Sequence, residues 1–196
     1  MVSQLSACYN LHMENIKIRK AKIADIEQIF RLSNAVARVA YAHIIPKEFF
    51  DEREQFTRTN RKEKAQGMNK NGCIDYVAEA DSKIVGTFHA TTSGYGPFEK
   101  PGYSAIIALY IHPDYQRIGL GKKLFDVAVS ELVKFGATQM VIGVLKENLQ
   151  ARKAYEKWGG KLDTYEALYK EKYPEVFYTY DLEKVGLKSV MVGENL

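Results

Sequence analysis

Residues 104–145 constrain the fold more than any other stretch. SAIIALYIH at 104–112 is an apolar strand run, YQRIGLGKKL at 115–124 opens a helix with two glycines two apart, and TQMVIGVL at 138–145 is apolar again. Between them Leu120, Leu124, Val127, Ala128, Glu131, Leu132 and Phe135 keep a helical period along one mostly apolar stripe, and Gly136 stands where a C-cap belongs. A strand, a crossover helix and a second strand favour parallel neighbours, because the chain must return to the same end of the sheet before starting again. The fold therefore needs a sheet with helices packed on it.

The remaining segments supply the other elements. Ile16 and Ile18 alternate with basic residues in a short strand, and from Asp25 a helix places Ile26, Ile29, Phe30, Ser33, Ala37 and Ala40 at spacings of three and four. A second amphipathic helix runs from Pro46 to Gln66. CIDYVAEA, KIVGTFHATTSG and SAIIALYIH read as an antiparallel meander, joined by an Asp81-Ser82 turn and the loop GYGPFEKPG. Asn148 suits the N-cap of a helix through Trp158, and strands follow at Leu162 to Tyr169 and Val176 to Leu182. The order predicts an α/β (α+β mixed) fold, a central sheet of about seven strands flanked by four helices.

Composition narrows the classes. The 196 residues suffice for one buried core, and a net charge of +4 without a basic block gives no sign of a nucleic-acid partner. Two cysteines, Cys8 and Cys73, supply neither a disulfide framework nor a zinc set, which favours a cytoplasmic setting and no metal site. No apolar run of about 18 residues points to a membrane. Met13 opens the first strand-like segment, so residues 1–12 read as a poorly ordered extension, 13–185 as one domain and 186–196 as a tail.

The glycine turn carries the first chemical signal. Past Pro113 the amides of Arg117 to Lys122 would open a helix and face outward, at the positive end of its dipole. Gly119 and Gly121 remove side chains that would hold an anion away, which suits a phosphate, although two glycines also simply make turns. A dinucleotide fold is the rival, with Glu147 for a ribose; the long Pro113 connection, Leu124 at the third glycine's place and the preceding antiparallel strands oppose it.

These residues resemble the GNAT superfamily of acyl-CoA-dependent N-acetyltransferases. Its signature Q/R-x-x-G-x-G/A follows a strand of the form L-x-V-x-P, and LYIHPDYQRIGLG supplies Gln116, Gly119 and Gly121 behind Leu109, Ile111 and Pro113. NLQARKAYEKWGG resembles the family's N-x-x-A-x-x-x-Y-x-K-x-G-F, with Asn148, Ala151, Tyr155, Lys157 and Gly159 in place and Gly160 where an aromatic is usual. YAHIIPKEFF looks like an acceptor-side segment of some members, including those compared with polyamine acetyltransferases. The resemblance implies acetyl-CoA as co-substrate. Its pyrophosphate would meet Arg117, Ile118, Gly119, Leu120, Gly121 and Lys122 after Gln116. Its pantetheine would lie along Leu109, Tyr110 and Ile111 and touch Asn148. The family's bulge in that strand would free an amide near Tyr110 or Ile111 for the thioester carbonyl.

Direct transfer to a primary amine, small-molecule or peptide, then needs an acid for the departing thiolate. Tyr155, two helical turns after Asn148, is the candidate. Ile106, Ile107 and Ala108 occupy the place where relatives carry a carboxylate, so the base is sought at Glu79 or His89, or in bound water. Glu48, Asp51, Glu52 and Glu54 would attract a polyamine, or only complement a helix dipole. A sheet edge at VFYTYDL suggests a homodimer. A non-catalytic acyl-CoA sensor and a nicotinamide-dependent oxidoreductase remain as alternatives.

Overall fold

The computed structural model describes residues 15–184. The expected extension at 1–12, Cys8 and the tail at 186–196 lie outside the described residues. Seven strands, β1 (Lys17–Lys20), β2 (Cys73–Ala80), β3 (Lys83–Thr91), β4 (Tyr103–Ile111), β5 (Gln139–Leu145), β6 (Lys161–Tyr169) and β7 (Tyr173–Asp181), form one sheet in the order β1-β2-β3-β4-β5-β7-β6. The expected meander is β2-β3-β4. Asp81 and Ser82 both have positive φ, as a two-residue turn matching strand twist requires. β4 and β5 are parallel, joined by the crossover helix, and the other neighbours are antiparallel.

Five α-helices lie among the described residues: α1 (Ile26–Tyr41), α2 (Lys47–Thr59), α3 (Arg61–Gly67), α4 (Leu120–Lys134) and α5 (Leu149–Lys157). The single helix expected from Pro46 to Gln66 is two. Asn60 breaks it by turning its side chain back to the Phe56 carbonyl at 2.8 Å, the local competition that makes Asn a poor interior residue. On α4 the expected stripe buries Leu120, Leu124, Ala128 and Leu132 completely against β3, β4 and β5, whereas Phe135 ends the helix largely exposed. Each such leucine contributes about 1.5–3 kcal/mol. α1 covers the opposite face with Ile26, Ile29, Leu32 and Val36 on Val77 and Ile84.

Two irregularities shape the middle of the sheet. Parallel pairing of β4 with β5 runs from Tyr103↔Gln139 to Ile106↔Ile142 and stops, so the strands diverge beyond it. On the other side of β4 the register passes from Ala90↔Ile106 to His89↔Ala108, which leaves Ile107 as the extra residue of a bulge. The bulge shifts the alternation by one. Ile106, Leu109 and Ile111 all pack on the α4 face, and Tyr110 turns to the α1–α2 face. The segment VFYTYDL lies in β7, between β5 and β6, so the free edge is β6 rather than the strand expected there.

Candidate active site

The opening between β4 and β5 is lined by backbone from one side. The His112 amide donates to the Val85 carbonyl at 2.9 Å, so antiparallel alternation turns the Tyr110 backbone toward Thr87 and leaves those of Leu109 and Ile111 facing the opening. Of the two amides expected there, Ile111 therefore qualifies and Tyr110 does not; Leu109 takes its place. Gln116 ties the next turn to this edge. Its Nε2 donates to the Ile111 carbonyl at 3.0 Å, and its Oε1 accepts from Gln150 of α5 at 3.0 Å.

The glycine turn forms the end of the opening. Arg117 and Gly119 both have positive φ, 62° and 86°, which curls the chain so that successive amides face outward. Lys123 donates to the Gly119 carbonyl at 3.1 Å, while the amides from Arg117 to Lys122 meet no acceptor among the described residues. The two glycines differ in purpose. A Cβ at Gly119 would meet nothing within 4 Å, so its backbone angle is what demands glycine. A Cβ at Gly121 would lie 3.4 Å from Trp158 and 3.7 Å from Ile111, so that glycine lets α4 pack closely on a ring and a strand. Leu120 is buried and Ile118 packs on the same core, so only their backbones face out. Lys122 shares its charge with Asp126 at 2.5 and 2.7 Å.

Asn148 caps α5 by accepting from the Ala151 amide at 3.2 Å. Two turns on, Tyr155 is 8% exposed, with its ring 5.8 Å from Trp158 and 5.9 Å from Tyr178. Burial, then the phenols of Tyr41, Tyr180, Tyr110 and Tyr95, push its hydroxyl well above the ordinary tyrosine range, so it remains a proton donor.

The opposite face of the opening is aromatic. Tyr41 from α1, Phe49 from α2, Tyr110, Tyr169 and Tyr173 gather around Leu145. Burial raises Tyr41 to about 12. Beside them, Glu175 of β7 brings Oε1 to 2.6 Å from where a Cβ of Gly143 would stand, and the Tyr95 hydroxyl crowds the same point. Gly143 is the first residue of β5 past the split, so this carboxylate stands at the opening. Burial raises its pKa.

The two residues considered as bases are placed elsewhere. Glu79 is bound to Arg19 at 2.6 Å, on β2 beside β1, and Arg19 also holds Asp25. His89 lies opposite Ala108 on β3, one strand from the opening, with Nδ1 3.0 Å from Asp75. Burial pushes Asp75 up, but the His89 hydrogen bond and the Lys64 charge outweigh it and hold the acid low. Two of the four acids named on α2 are engaged too: Asp51 meets Arg38 and Lys47, and Glu54 meets Arg38 and Arg58. Glu175, Tyr95 and Arg53 escaped the sequence reading, whereas Tyr41 and Phe49 lie within the YAHIIPKEFF segment quoted there. Leu145↔Glu175 is a register between strands 30 positions apart, and no local spacing announces it.

Known proteins share this fold. The chain is 24% identical over 150 residues to the mycothiol acetyltransferase of Kocuria rhizophila, covering 74% of this chain but 46% of that protein, so it spans less than half of that relative. The fold resembles the crystal structure of PaiA N-acetyltransferase from Thermoplasma acidophilum in complex with coenzyme A, with a TM-score of 0.67, 20% identity, and 84% and 99% of the two chains covered. It also resembles yncA, a putative acetyltransferase from Salmonella typhimurium with its cofactor acetyl-CoA, at TM-score 0.58, 20% identity, and 86% and 94% coverage. The model of the Acetyltransferase (GNAT) family matches residues 37–160, which take in the end of α1, α2, α3, the meander, the glycine turn, α4, β5 and α5. By that match, which spans more than half its length, the chain belongs to the GNAT acetyltransferase family.

Proposed function

We propose that this chain transfers the acetyl group of acetyl-CoA directly to a primary amine within a ternary complex. One observation carries the reading: the β4 edge left free by the split from β5 runs straight into a turn of outward-facing amides at a helix N-terminus. The residues fit the co-substrate. Leu109 and Ile111 offer strand-like hydrogen bonds to the peptide-like pantetheine, and Arg117, Ile118, Gly119, Leu120, Gly121 and Lys122 offer amides to a pyrophosphate, with Gln116 bracing the turn. The Leu109 amide would meet the charge that develops on the thioester oxygen, and Asn148 flanks the same channel.

On this reading Tyr155 holds the proton that the departing thiolate takes up. Glu175 removes the proton from the amine, since burial moves its pKa toward neutrality, where a base works best. His89 with Asp75 stands one strand away, within reach only through water, and Glu79 takes no part. A cytoplasmic location, where acetyl-CoA is supplied, belongs to the same proposal. Among the described residues no helix is long and apolar enough to cross a membrane. The free edge of β6, with Leu162, Tyr165 and Leu168 exposed, favours pairing of two copies.

Free thiol release from acetyl-CoA, measured against polyamines, amino acids, aminoglycosides and peptide N-termini, tests the function. Turnover with any amine supports it. Tight acetyl-CoA binding without turnover on every amine would make the chain a sensor.

A further inference from the structure

An arginine occupies a core-facing position on α2. Phe50 is 4% exposed and packs inward, and Arg53, three residues on, shares that face of the helix. Its guanidinium carbon lies 5.5 Å from the Tyr110 ring centroid, and Nη2 donates to the Tyr110 hydroxyl at 3.0 Å. Asp51 and Glu54 of the same helix turn the other way. Arg38 and Arg58 take Asp51 and Glu54, Arg31 and Arg61 take Glu27, and Arg19 takes Asp25 and Glu79. Among the described residues Arg53 has no carboxylate partner, although its half-buried aromatic surroundings make an unpaired charge costly.

Resting on the transferase reading, we propose that Arg53 binds a carboxylate carried by the acceptor amine. Tyr110 sets the geometry. Its backbone lies in β4 beside the opening and its hydroxyl touches Arg53, so the amine and the carboxylate stand at the two ends of one tyrosine side chain. One N–H of Arg53 is engaged with Tyr110, and the planar fork keeps others free for two parallel bonds to a carboxylate. The rings of Tyr41, Phe49 and Tyr169 would line the span between. Glu175, near the other end, would meet the ammonium. An acceptor bearing one group of each sign, such as an ω-amino acid or a dipeptide, fits this arrangement. A polyamine would set a second cation against Arg53.

The test uses matched acceptors, a ladder from glycine to 6-aminohexanoate together with glycylglycine, each compared with its own carboxamide. The parent should prefer the acid at the best length by roughly tenfold to a hundredfold in kcat/KM, mainly through KM. Arg53→Gln should abolish that preference, bringing the acid to the level of its amide. Equal use of acid and amide at every length, or a preference that survives Arg53→Gln, overturns the proposal. Binding of the N-acetylated acids to the protein with CoA, followed by calorimetry, reads Arg53 without turnover. Tighter binding of acid than amide, lost in Arg53→Gln, supports the site even if no amine is acetylated, an outcome that would sink the transferase reading alone. Equal binding of acid and amide overturns the site.

Discussion

The Tyr180 hydroxyl donates a 3.0 Å hydrogen bond to the backbone carbonyl of Tyr155. Tyr180 is 1% exposed on β7, and its ring lies 2.7 Å from where a Cβ of Gly160 would stand. The chain's departure from the family pattern, Gly160 in place of an aromatic, is thus matched by an aromatic arriving from another strand. The ring and the glycine together fix the end of α5 that presents Tyr155.

Gly160→Ala should therefore cost about 1–3 kcal/mol, because the new methyl meets a buried ring and the Tyr155 carbonyl at 2.9 Å. Tyr180→Phe should cost only about 1 kcal/mol, since that carbonyl keeps the Gly160 amide at 2.9 Å. Denaturant unfolding of these two variants, of Tyr180→Ala and of the double variant Gly160→Ala with Tyr180→Ala would measure the costs and the coupling. If the cost of Gly160→Ala were the same in both backgrounds, the ring would not be its cause.

Tyr155→Phe keeps the ring and its contacts with Trp158 and Tyr178, so acetyl-CoA affinity and melting temperature should change little. Single-turnover acetyl transfer should fall about a hundredfold, the lower end for a positioned acid, because a thiolate leaves fairly well unaided. A rate within about twofold of the parent across pH would leave Tyr155 a packing residue.

Much of the fold was legible because its elements are punctuated locally. Asn148 caps its helix, Asp81-Ser82 turns its hairpin, and the stripe on α4 buries Leu120, Leu124, Ala128 and Leu132 as its period requires, with Phe135 the exception. The bulge was expected only from the resemblance, because the run SAIIALYI is apolar throughout and its alternation is visible only once Ile106, Leu109 and Ile111 are seen to share a face. The face opposite the glycine turn was legible only in the YAHIIPKEFF segment, which carries Tyr41 and Phe49. Arg53, Tyr95, Tyr169 and Glu175 come from four elements or loops and reach the opening only through helix packing and strand register. Asp51 and Glu54 on α2 misled for a related reason: their partner Arg38 lies on α1 and is invisible until the helices are packed.

The two glycines of the turn should separate in experiment. Gly119→Ala forces a left-handed angle on a residue with a Cβ, costing about 1 kcal/mol, and disturbs the outward amides, so acetyl-CoA should bind more weakly. Gly121→Ala meets Trp158 at the edge of ordinary contact and should leave binding nearly intact, whereas Gly121→Val overpacks the ring and should cost about 1–3 kcal/mol of stability. Calorimetry and thermal unfolding distinguish the two. Equal loss of affinity in Gly119→Ala and Gly121→Ala would mean that both line the anion site.

Glu175→Gln should lower activity and raise stability together. Burial raises the Glu175 pKa in the folded protein above the ordinary glutamate value of about 4.5, so the folded state holds that proton more tightly than the unfolded chain does. Its favourable contribution is present below the unfolded value and is lost as pH rises through the folded one. At pH 8 the parent therefore carries an ionised carboxylate that burial disfavours, and glutamine keeps the shape without the charge. The variant should melt higher than the parent at pH 8, and the difference should shrink toward zero as the pH falls below about 4.5. The parent's activity should decline on the acid side at a pH above the ordinary glutamate range, and in the variant this limb should disappear along with most of the rate, about a hundredfold for a lost base. Thermal melts and single-turnover rates across the same buffers test both halves. A variant as active as the parent at pH 8 would remove Glu175 from the chemistry, and one that melts lower there would show that the carboxylate is held by contacts glutamine cannot make.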